Sequence, residues 1–138
     1  HRLFGLDRTF SADALDSSNS IMDFVRPSGL SGLDILVAAK KAQESSEPGA
    51  DMSRIGIRII AEARDAYDFI VLDTCSVLRM NRYMMDPVSI AAAADGVALV
   101  VMANETHRGQ VKRSHILLET ARANVLGLIV NQWTNPLA

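Results

Sequence analysis

The sequence predicts an α/β domain, one unit over residues 1–138, built on a doubly wound, mostly parallel sheet. Three observations carry this. Residues 68–73 (DFIVLD), 96–102 (GVALVVM) and 125–131 (VLGLIVN) are short, near-continuous apolar runs rich in Val, Ile and Leu, the composition of strands covered on both faces. Amphipathic helical patterns alternate with these runs. The links are short, and such alternation implies right-handed crossovers between parallel strands.

In chain order, residues 33–38 (LDILVA) make a fourth, weaker strand candidate, interrupted by Asp34. Over 52–66, Ile55, Ile59, Ile60 and Ala63 form one apolar stripe, with Arg54, Arg58, Glu62 and Asp65 mostly off it, as in an amphipathic helix. A second helix is predicted over 87–94. Asp86 can cap it and Pro87 suits its first position, and Asp95-Gly96 ends it. In the third, over 108–123, Val111, Leu117, Leu118 and Ala121 face inward while Lys112, Arg113, Glu119 and Arg122 face water. Residues 11–20 and 43–49 are polar connecting stretches.

Composition excludes several classes. Hydrophobic residues make up 49% of the chain and charged residues 22%, enough apolar surface for a core and too little charge for global disorder. A net charge of -2 argues against a nucleic-acid partner, since phosphate backbones demand a basic surface. The single cysteine, Cys75, excludes an internal disulfide and fits a reducing compartment. No apolar run reaches the length needed to span a bilayer. The chain starts at His1 rather than methionine, so it is expected to be processed or a piece of a longer protein.

In open α/β sheets, ligands bind beyond the carboxyl ends of the strands. Asp73, Thr74 and Cys75, the segment 103–106, and Asn131 and Gln132 are therefore the positions to read. Two chemistries fit Asp73 on spacing alone: a carboxylate holding magnesium beside nucleotide phosphates, or one that caps the next turn through backbone N–H groups. Cys75 has no His partner in view and reads as a small, half-buried residue. His1, His107 and His115 lack metal-ligand spacing, and His115 lies near the inward stripe of its helix. Arg79 and Arg82 suit either phosphate or a solvated face. Met80, Met84 and Met85 suit flexible packing or a partner surface. No G-x-x-x-x-G-K-[ST] loop occurs, and Lys40 and Lys41 have no glycine-rich lead-in, so these residues alone do not assemble a complete phosphate site.

A set of ordered segments resembles the bacterial tyrosine kinases of capsule and exopolysaccharide export, within the MinD/ParA-like branch of P-loop ATPases. His1-Arg2-Leu3-Phe4-Gly5-Leu6 looks like the segment after that family's second phosphate motif. Residues 27–36 (PSGLSGLDIL) resemble its P-x-G-x-x-G-L-D-V-L strand, and 67–74 (YDFIVLDT) its Walker B strand. Residues 94–101 (ADGVALVV), the Thr106/Arg108 pair (T-x-R) and 125–131 resemble the later motifs. The resemblance implies a P-loop NTPase-like fold whose first strand and phosphate loop would lie upstream of His1. It implies ATP and Mg as cofactors, with Asp73 as the catalytic and magnesium-holding aspartate, Thr74 beside it, Asn131 at the adenine, and Asp86 matching an aspartate of the site. It further implies homo-oligomers that autophosphorylate on tyrosine, a membrane chain-length regulator as partner, and a cytoplasmic position at the inner membrane.

The departures are specific. The family's D-T-P-P is Asp73-Thr74-Cys75-Ser76 here, the spacing from Asp73 to Asp86 is longer, and no tyrosine cluster follows Asn131. Three readings follow: the C-terminal part of such a kinase, a non-catalytic interaction domain of the same fold, or a related ATPase of pilus assembly or cell positioning. Lacking its central strand, the isolated chain is expected to be marginal, to rearrange or to self-associate.

Overall fold

The computed structural model describes residues 5–6, 12–37, 52–78 and 85–132. The expectations that fall on His1 to Phe4, Lys40 and Lys41, the 43–49 loop, Arg79, Met80, Arg82 and Met84 lie outside the described residues. The fold is mixed α/β with a small parallel sheet of two strands. The described residues fall into two compact units, one through Asp73 with Met85, the other residues 74–78 and 86–132.

The first unit is built on α2 (Met52–Arg64). Its buried residues are Ile55, Gly56, Ile59, Ile60 and Ala63, the predicted stripe with one glycine added. Against it pack α1 (Ala12–Ser17) and a 3₁₀ turn (Ile21–Phe24). Leu15, Ile21, Ile55 and Ile59 form the core, flanked by Phe24, Leu36, Leu72 and Met85. Residues 11–20 are thus not merely a polar stretch, because α1 contributes Leu15 to that core. Burying such side chains stabilises by about 1.5–3 kcal/mol each, which outweighs the polar composition around them.

Instead of a parallel strand over 33–38, the chain forms a two-residue antiparallel pairing of β1 (Arg26–Pro27) with β2 (Asp34–Ile35). The turn between them explains the reversal. Gly29 and Gly32 adopt φ of 84° and 74°, left-handed backbone that glycine enters without steric cost. Ser28 N–H donates to Leu33 O at 3.2 Å and Leu30 N–H to Ser28 Oγ at 3.0 Å, closing the loop.

The predicted strand over 68–73 carries no ladder. Burial alternates along it, with Ile70 and Leu72 half-buried while Phe69 and Val71 are 91% and 93% exposed. An apolar run becomes a strand only when a neighbour completes its hydrogen bonds and covers its faces. Among the described residues no strand pairs with this one.

The second unit follows the predicted order closely. Helix α3 (Pro87–Ala93) is followed by β3 (Val97–Met102), α4 (Arg108–Thr120) and β4 (Val125–Asn131). β3 and β4 pair in parallel, from Val97 opposite Val125 to Met102 opposite Asn131, with one irregularity between Val97 and Ala98. The 13-residue helix α4 makes the crossover, as parallel neighbours require. Buried positions come from the helices: Pro87, Ile90 and Ala91 of α3, Ser114 and Leu118 of α4.

Three expectations change here. The strands are not covered on both faces: on β3 only Val97, Leu99, Val101 and Met102 are half-buried, and Leu126, Leu128, Ile129 and Val130 of β4 are all exposed. On α4, Ser114 rather than Leu117 joins the inward stripe. Val111, Ser114, Leu118 and Ala121 recur at the helical spacing, which excludes both Leu117 and His115. His115 is exposed and meets Glu119, one turn on, at 3.3 Å. Finally, α3 does end just before Asp95-Gly96 as expected, but without a left-handed glycine at Gly96. The helix stops at the extended residue Ala94, and a Cβ on Gly96 would come within 2.5 Å of the Leu126 side chain. Gly96 thus gives Leu126 room rather than making a turn.

Candidate functional site

Asp73 ends the first unit, exposed and just beyond the half-buried Leu72. Thr74 begins the second, with its hydroxyl donating to the Cys75 carbonyl at 3.3 Å. Cys75 is half-buried, as its sequence setting predicted.

Asp86 is the N-cap of α3 in fact as well as in sequence. Its carboxylate accepts from Val88 N–H and Ser89 N–H, both at 3.1 Å, and from the Ser89 hydroxyl at 2.5 Å. Partial burial pushes its carboxyl up, but the Ser89 hydroxyl and the two backbone donors outweigh that and hold it below the ordinary range. Both carboxylate oxygens are therefore engaged by α3's own first turn.

The carboxyl ends of β3 and β4 lie side by side. Ala103 N–H donates to the Asn131 carbonyl at 2.8 Å, extending the ladder by one bond. The chain then turns through Asn104, at φ 64°, a conformation asparagine tolerates better than most residues. Thr106 Oγ1 accepts from Met102 N–H at 2.9 Å, and Thr106 N–H donates to Met102 O at 3.0 Å. This reciprocal clasp fixes the loop. His107 N–H donates to Gln110 Oε1 at 3.0 Å where α4 begins. The Thr106 and Arg108 pair thus sits between the end of β3 and the first residue of α4, in the unit that also carries Asn131.

Sequence reading did not find a polar cluster in the first unit. Glu62 accepts from Ile21 N–H at 2.8 Å, Ser20 Oγ at 2.9 Å and Arg58 Nε at 2.6 Å. Arg58 donates onward to the carbonyls of Ser18 at 2.7 Å and Leu15 at 3.2 Å. Burial pushes the Glu62 carboxyl up, yet Ile21 N–H, Arg58 and Ser20 outweigh it and hold it below the ordinary range. Only the Arg58/Glu62 spacing of one helical turn was legible beforehand. These bonds hold α1 and the 3₁₀ turn against α2.

An exposed carboxylate such as Asp73 supplies the oxygen ligand that a hard cation takes. Among the described residues no group of three or more His, Cys, Asp or Glu side chains is placed to hold a metal. No helix among the described residues is long and apolar enough to cross a membrane. Comparison of the chain with protein-family models, with curated proteins and with solved structures finds no match.

Proposed function

We propose that the chain is the C-terminal portion of an ATP-dependent protein-tyrosine autokinase that regulates exopolysaccharide or capsule chain length and export. One observation carries this reading: the two segments resembling the family's later strands pair in parallel through a helical crossover, with Thr106, Arg108 and Asn131 all in that unit. In this reading the sheet belongs to a doubly wound P-loop NTPase-like fold, and the missing phosphate loop comes from upstream sequence. Asp73 holds magnesium, Thr74 adjoins it, and the Asn131 amide reads the adenine edge. Asp86 contributes by fixing the start of α3. Bound ATP would supply the phosphoryl group and magnesium would neutralise its developing charge. The partners are further copies of the same protein and a membrane chain-length regulator, at the cytoplasmic face of the inner membrane.

A non-catalytic interaction domain of the same fold is the second reading. It is favoured by Asp73-Thr74-Cys75-Ser76 standing where the family has D-T-P-P, in a segment without a ladder. Titrating the full-length protein with labelled ATP and magnesium separates the two. The kinase reading expects binding that Asp73→Ala abolishes without changing the circular dichroism spectrum. It fails if the full-length protein binds no nucleotide, or if its reading frame lacks G-x-x-x-x-G-K-[ST] before His1.

A further inference from the structure

We draw no further inference here: the strongest candidate, the exposed apolar surface of β4 around Leu126, Leu128 and Val130, is an unpartnered sheet face, and nothing in the structure shows what covers it.

Discussion

Glu62 and Ile21 are joined by a 2.8 Å hydrogen bond across 41 positions of sequence, from the Ile21 amide to the Glu62 carboxylate. That bond ties the entry of the 3₁₀ turn to α2 and holds Ile21 in the core. A hydrogen bond to a charged group contributes about 1.5–3 kcal/mol. Glu62 is about a quarter exposed, so the lower end applies. Glu62→Ala should lower first-unit stability by about 1–2 kcal/mol, read as an earlier urea midpoint, and Ser20→Ala by less. An unchanged midpoint in Glu62→Ala would show the cluster to be incidental.

Acid should weaken the fold through two carboxylates. Glu62 and Asp86 both titrate below their ordinary values when folded. Their contribution is present above the unfolded-state value, about pH 4, and disappears as pH falls through the lower folded-state values. Between the two the unfolded chain binds more protons, so stability rises with pH. The double variant Glu62→Gln/Asp86→Asn should flatten that slope in urea titrations between about pH 2 and 5.

The cap of α3 can be tested separately. Asp86→Ala should cost about 1 kcal/mol, whereas Asp86→Asn should cost much less, because asparagine caps about as well. Thermal melts of the two variants supply the comparison. Equal losses would mean that the charge matters rather than the cap.

Tyr67 O–H donates to Asp34 Oδ2 at 2.8 Å, tying the turn that follows α2 to β2. This bond, with the nearby negative charge, holds the phenol above its ordinary value. The stabilisation is complete below the unfolded phenol value, about pH 10, and is lost as pH rises through the folded one. Asp34→Asn should move the tyrosinate absorbance transition of Tyr67 back toward the ordinary range. Tyr67→Phe assigns that transition, since the chain has 2 tyrosines.

Strand β4 exposes Leu126, Leu128, Ile129 and Val130 and carries neither charge nor proline over its 7 residues. Soluble proteins usually blunt such strands with lysine, proline or a bulge. The isolated chain should therefore elute as associated species, and Ile129→Lys should shift it toward monomer. A stable monomer with a cooperative melt would contradict this.

Helices α2, α3 and α4 were legible because their signals are local, whereas α1 was not. The stripe from Ile55 to Ala63 and the Asp86-Pro87 start each lie within a few residues. That β3 and β4 run parallel was legible too, since a helix between two apolar runs implies a crossover. Residues 68–73 misled because their composition describes the faces of a strand and not its partners. The core role of Leu15 and Ile21 was hidden because their neighbours lie far along the chain. Asn131 was legible as the end of a strand, whereas Asp73 follows a run that forms none, and the clasp of Thr106 on Met102 joins side chain to backbone in a way no local pattern signals.

The sheet of β3 and β4 has a consequence for solvent exchange. Each strand of a two-stranded ladder turns only alternate amides toward its neighbour. The outward amides of both strands meet no other strand among the described residues. Deuterium should therefore enter this sheet as a comb, with slow and fast amides taking turns along residues 97–101 and Val125–Asn131, while the Met102 amide is slowed by its bond to Thr106 Oγ1. Once a further strand docks on either flank, the fast teeth of that flank should slow, marking which edge it occupies.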